Sequence, residues 1–240
     1  MEKNVQNSKE VSKGISVFQM GDVVSILIFI LLAVILLNER TRNAYVSLNS
    51  AHPYLLGFLK VGILATFGEV LSLRITKGKY ILPAGVLYRF LVWGFLGIVF
   101  VAVFELFASG TKVLLDKNLL PYVESARAFF QAFYTSLLMN LIFAPTFMSF
   151  HRITDGYIDL SGGRLRKMFS TSFDEVLRAV DWNFFVKFVL GKTIPLFWIP
   201  AHTITFLLPA SYRVLVAALL SVFLGILLSF RKRSTSVRHG

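Results

Sequence analysis

The stretch Val23-Val24-Ser25-Ile26-Leu27-Ile28-Phe29-Ile30-Leu31-Leu32-Ala33-Val34-Ile35-Leu36-Leu37 decides how the rest of the chain is read, because fourteen of its residues are apolar and the exception is a serine. In hydrocarbon every backbone amide must find its partner within the chain, so runs of about 17 to 25 apolar residues form membrane-crossing helices. Comparable blocks follow at Leu55 to Ile75, Tyr80 to Ala108, Ala126 to Phe150, Phe188 to Leu208 and Tyr212 to Phe230. The pattern predicts an all-α, polytopic transmembrane helical bundle. Its six spans are expected at 22–38, 54–76, 81–108, 126–150, 188–208 and 212–230, within a membrane domain covering 21–230. Five spans with a re-entrant segment at 188–208 is the alternative.

The composition agrees. Of the 240 residues 55% are hydrophobic, and mean hydropathy is +0.68, above what a soluble domain carries. The net charge of +12 could by itself suggest a nucleic-acid partner, since Lys and Arg neutralise phosphates. Its placement points to a bilayer partner instead. Cytoplasmic loops of membrane proteins collect Lys and Arg. With six spans, one side holds Lys3, Lys9 and Lys13, then Arg74, Lys77 and Lys79. It also holds Arg152, Arg164, Arg166, Lys167, Arg178 and Lys187, and finally Arg231, Lys232, Arg233 and Arg238, sixteen in all. The other side holds only Arg40, Arg42, Lys112, Lys117 and Arg213. Both termini, a polar tail over 1–20 and a basic tail over 231–240, are therefore expected on the positive, cytoplasmic side. The membrane would be the cytoplasmic one in a prokaryote and that of an organelle in a eukaryote.

The first block follows Lys3, Lys9 and Lys13 as a signal peptide would, but it runs into Asn38-Glu39-Arg40-Thr41-Arg42 without a small-residue cleavage site, so an uncleaved anchor is expected. The chain has no cysteine, which excludes disulfides and thiolate chemistry.

Between the blocks, Thr76-Lys77-Gly78-Lys79 is short enough to make the second and third spans an antiparallel hairpin. Asp155 to Gly163 has the turn chemistry of a soluble loop. From Arg164 to Lys187 apolar residues recur at spacings of three and four, from Leu165 and Met168 to Phe184 and Phe185, with charged residues on the other positions and Trp182 near the end. This predicts one amphipathic helix over 164–187, lying in the bilayer interface or packed on the protein's own face. In the last block Arg213, Ala217, Ser221, Gly225 and Ser229 stand four apart. The small members of that row predict a helix-packing seam, which leaves room for a homo-oligomer.

Ionisable groups within apolar blocks are costly and usually face a bundle interior or a water cavity. Glu69, Glu105, Arg89, Asn140 and His202 are such positions. Glu69 and Arg89 flank the short hairpin at depths that agree within about 5 Å, so they are expected to pair. Pro195, Pro200 and Pro209 surround His202, Thr203 and Thr205, and Pro145 follows Asn140. Interior prolines free carbonyls, and broken helices of this kind line sites in transporters, so a broken segment at Pro195 to Pro209 is expected. His151, Asp155 and Asp159 flank a Gly and read as a solvated loop. No metal, cofactor or catalytic constellation is expected.

The later blocks carry a family resemblance. Asn140-Leu141-Ile142-Phe143-Ala144-Pro145, Phe197-Trp198-Ile199-Pro200, Thr205-Phe206, Leu208-Pro209-Ala210-Ser211-Tyr212-Arg213, Ser221 and Leu228-Ser229 resemble in order the motifs of the family of the 22-kDa peroxisomal membrane protein and the mitochondrial inner-membrane Mpv-seventeen protein. His52-Pro53 and Gly68-Glu69 resemble its opening motifs. The third block departs from the family pattern, with Gly97-Ile98, Val101, Phe104 and Ala108 at its signature positions, so the resemblance is that of a divergent member, such as a prokaryotic one. The resemblance implies an organelle-type membrane protein, some relatives being weakly selective channels.

Residues and resemblance together lead to the expectation of a non-enzymatic channel or pore for small solutes or ions, with Glu69 and Arg89 inside the bundle. Asn140, His202, Thr205, Tyr212 and Arg213 would stand along the wall beside the proline-broken segment. The alternative is a structural or interaction protein that organises partner proteins or lipid.

Overall fold

The computed structural model describes residues 18–238, with side-chain surroundings through residue 230. The N-terminal tail and the end of the basic C-terminal tail lie outside the described residues. The apolar blocks form α1 (Met20–Leu37), α3 (Pro53–Lys77), α4 (Val86–Asp116), α9 (Trp182–Leu207) and the long α10 (Ala210–Arg238). Each of these is long and apolar enough to cross a membrane. Among the described residues no strand occurs.

Local chemistry places the boundaries. Asn38 Oδ1 accepts from the amides of Arg40 and Thr41 and starts a short α2 (Glu39–Ala51). Pro53 opens α3, where its missing N–H costs no helical bond. Gly78 closes α3 in the left-handed conformation at φ 74°, its N–H reaching Arg74 O. The short turn there makes the antiparallel α3–α4 hairpin.

The 126–150 block differs from expectation. It breaks after α5 (Arg127–Ile142) into α6 (Ala144–Ser161), with a 46° bend. Pro145 sits in the first turn of α6, and its ring nitrogen cannot bond the carbonyl one turn back, so the chain bends there. The pair runs along the whole of α4: Arg127 at its start pairs with Asp116 at the end of α4, and Asp155 and Asp159 near its end pair with Arg89 at the start of α4. That is the geometry of a bent span. Taken as one bent span the pair would add a sixth pass to the five single helices, and the irregularity lies at Phe143 and not within 188–208, where the five-span alternative put a re-entrant segment.

The 188–208 segment is itself continuous with what precedes it. α9 winds with π-type hydrogen bonding over Phe185–Trp198 and contains Pro195, then tightens to α-helix with Pro200 in the first α turn. The break expected between Pro195 and Pro209 is thus confined to Leu208-Pro209, between α9 and α10.

The single amphipathic helix expected over 164–187 is also corrected. It forms α7 (Leu165–Ser170) and α8 (Phe173–Ala179), and then enters α9. Ser172 and Glu175 form a reciprocal capping box, and Asp181 Oδ1 accepts from Phe184 N, so local caps outcompete one continuous helix. α8 docks by its fully buried Val176 against Gly156 of α6, while Phe169 of α7 is left 83% exposed.

The core lies where α3 packs against α4 and α10, and α5 against α9. Val61, Leu64, Leu71, Phe104, Val214, Ala218 and Val222 fill it, with Ala132, Met139 and Phe206 alongside. At Gly57 and Gly97 the α3 and α4 backbones nearly touch, since a Cβ on Gly57 would stand 2.7 Å from Gly97 O. Outward faces are apolar: only 6% of the α1 window is buried, and Leu27, Leu31, Leu196 and Ile204 are more than half exposed. Spans of this length with apolar outer surfaces belong in lipid. The chain is an integral membrane protein built as an all-α bundle.

Candidate functional site

Near the hairpin end of α3 and α4 a charged network is built around Arg89, the fourth residue of α4. Glu69 reaches it from α3 because the hairpin turn is short, with Oε2 at 3.2 Å from Arg89 Nη1. Asp155 Oδ1 of α6 lies 3.0 Å from the same nitrogen, and Asp159, one turn on, accepts from Arg89 Nη2. Arg89 Nε donates to Ala84 O at 3.0 Å. Trp93 Nε1 donates to the other oxygen of Glu69 at 2.7 Å, and its ring stands 4.1 Å from that of His151. His151 Nε2 lies 3.4 Å from Asp155 Oδ2.

Glu69 and Arg89 do pair, but in a larger assembly. His151 and Asp155 sit on α6 and face the bundle, while Asp159 on the same helix reaches Arg89 from the solvent-exposed edge, which corrects their reading as a solvated loop. Gly156 suggested a turn, whereas it is the contact that lets Val176 approach. The fourfold spacing of the three residues was itself a helical signal. With its carboxyl groups ionised the network holds three carboxylates beside one guanidinium. Glu69, His151 and Asp155 offer ligand atoms within 4.8 Å of one another, close enough to hold a cation. Arg89 already supplies positive charge to two of them.

A second polar group lies between α5 and α9. Asn140 is 1% exposed; its Nδ2 donates to Ser136 O at 2.8 Å and lies 3.1 Å from His202 Nδ1. Ser136 Oγ donates to Ile199 O across the interface at 2.7 Å. Thr205, fully buried, turns its hydroxyl back to Ala201 O. These residues fill the helix interface, so the structure sets them apart from the Arg89 network.

A cleft of about 830 Å³ opens at the opposite end of the α3–α4 pair, bounded by α2, α3, α4 and α10. Its lining includes Lys60, Glu105 and Arg213 but neither Glu69 nor Arg89. The Lys60 ammonium donates to Asn49 Oδ1 at 2.6 Å and to Tyr45 OH at 3.1 Å. Tyr45 OH in turn donates to Ser211 O, and its ring stacks on Tyr212 at 5.8 Å. Burial raises the Tyr45 phenol to about 12, so it stays protonated and serves both contacts. Arg213 caps the end of α9, with Nε on Leu208 O and Nη2 on Phe206 O. It thereby satisfies carbonyls next to the Pro209 break. Lys60 was legible as a charge inside an apolar block, although the residues that hold it there are distant in sequence.

The small-residue row of α10 is only partly a seam. Ala217 and Ser229 are buried, and Ser229 Oγ lies 2.6 Å from Ser72 Oγ of α3. Ser221 turns to Ala218 O, and a Cβ at Gly225 would meet open space. The close approach is instead at Gly68, against Val222.

No protein family, curated protein or solved structure matches the chain.

Proposed function

We propose that the chain forms a path for small solutes or ions across its membrane, with the cleft as one mouth and the Arg89 network near the other. The observation that carries this reading is that both charged sites belong to one helix pair. Lys60 and Glu69 stand about 14 Å apart along α3, with buried Val61, Leu64 and, on α4, Leu96 between them. Charged groups placed within spans are costly to keep and usually mark ion or solute routes. Apolar constrictions between wet ends gate by excluding water, so the packed layer represents a closed gate in this reading. The asymmetry of Lys and Arg supports a reading in which both termini face the cytoplasm. The quoted C-terminal motifs support a divergent member of the peroxisomal and mitochondrial membrane-protein family already described.

In planar bilayers the purified protein is expected to give discrete conductance that Glu69→Gln changes. Silence of both forms in a folded preparation overturns the reading. The exposed α1 face favours a second reading, in which α1 meets a partner or a second copy and nothing is transported. Substitution of Leu27 or Leu31 by Asn would then dissociate an assembly, and Glu69→Gln would change no flux.

A further inference from the structure

The cleft has a charge imbalance that the rest of the described structure leaves uncorrected. Arg74, Arg89 and Arg127 each hold a carboxylate, whereas neither Lys60 nor Arg213 forms a salt bridge with a described carboxylate. The one acid in the lining, Glu105, accepts instead from Ser109 Oγ at 2.9 Å. Lys60 and Arg213 are positioned by neutral groups alone: Asn49 and Tyr45 for the first, and the carbonyls of Leu208 and Phe206 for the second. An ammonium has three donors and a guanidinium five, so both cations keep donors for a ligand. Keeping two cations fixed at a lipid-flanked site beside a single acid, Glu105, leaves an excess positive charge that is unfavourable there, and an anion that binds offsets it.

Val101, Phe104, Leu106, Val113 and Val214 form an apolar part of the remaining lining, beside the hydroxyls of Ser50, Ser109 and Ser211. Lys60 is the eighth residue of α3 and Arg213 the fourth of α10, which puts them about 10 and 5 Å from the helix starts. That is close to the level where acyl chains meet headgroups. The volume suits a ligand pocket. We propose that this cleft binds an amphiphile by its anionic phosphate or carboxylate group, with Lys60 and Arg213 pairing the charge and the Val101, Leu106 and Val113 wall receiving the apolar part. Binding here goes beyond the permeation reading and needs no conductance: a silent bilayer recording leaves it standing, and absent binding leaves the pore standing.

Native mass spectrometry of the full chain in detergent, titrated with dioleoylphosphatidylglycerol or dioleoylphosphatidylcholine, tests it. The phosphatidylglycerol should be retained in preference to the phosphatidylcholine. Lys60→Gln should weaken that retention about tenfold, the loss expected from one charged hydrogen bond, and Glu105→Gln should strengthen it. Inorganic phosphate and oleate, added as competitors, separate the sources. Displacement by inorganic phosphate assigns a free anion and overturns the proposal, whereas displacement by oleate or by added phosphatidic acid, with inorganic phosphate without effect, supports an amphiphile. Should Lys60→Gln fail to give a monodisperse, helical protein, Ser109→Asp supplies an internal counter-charge and should abolish retention. Equal retention of the two lipids by the wild type overturns the proposal. So does retention of phosphatidylglycerol unchanged in the folded variants.

Discussion

Replacing Arg89 by Met keeps most of the side chain's length and removes the guanidinium that Glu69, Asp155 and Asp159 share. The Arg89 side chain is 9% exposed, against 15% for Asp155, 23% for Glu69 and 58% for Asp159. Taking one partner from a buried ion pair leaves an uncompensated charge and costs about 3–5 kcal/mol, far more than the pair's net worth. Arg89→Met is therefore expected to lose about 3–5 kcal/mol at neutral pH, since it leaves three mutually repelling carboxylates. Asp159→Asn removes a solvent-screened contact and relieves part of that repulsion, so its cost should stay within about 1 kcal/mol. Glu69→Gln keeps its acceptor for Trp93 and should fall between the two. Equilibrium unfolding of the purified protein in mixed micelles, followed by helical circular dichroism, measures all three. An Arg89→Met variant within about 1 kcal/mol of wild type, or an Asp159→Asn variant as damaged as Arg89→Met, would refute the reasoning.

The α3–α4 contact should respond to added volume at Gly57 but not at Gly225. Gly57→Val is expected to cost about 1–3 kcal/mol, whereas Gly225→Ala should be neutral or stabilising by up to about 1 kcal/mol, both read from the same unfolding curves. Between α5 and α9, Asn140→Leu or His202→Leu alone leaves a buried polar partner unpaired and should cost about 1–3 kcal/mol. The double variant should lose clearly less than the sum, a coupling that a double-mutant cycle reports; strict additivity would dismiss the contact between them.

The spans were legible because lipid imposes a crude requirement, long apolar runs, that the order of residues displays directly. The Glu69–Arg89 pair was legible because a tight hairpin equates sequence distance with depth. The remaining carboxylates were not, because Gly156 reads locally as a turn while its role is tertiary, admitting Val176 against α6. The amphipathic pattern from Leu165 to Phe185 has the correct period, yet Ser172 with Glu175 and then Asp181 supply caps that divide it. Pro195 suggested a break, and the backbone accommodates it by rewinding the helix around it. The cleft depends on Tyr45 and Asn49 of α2 meeting α3 and α10. No local spacing encodes that meeting.

The absence of cysteine makes the membrane topology directly measurable. Single cysteines at Asn43, Lys77, Lys117 and Ser170, all exposed positions, can be labelled in sealed vesicles with a membrane-impermeant maleimide. Six passes require Asn43 and Lys117 to react from one side, and Lys77 and Ser170 from the other. Labelling of Lys117 and Ser170 from the same side would contradict the bent α5–α6 span, and labelling of all four from one side would contradict the membrane fold itself.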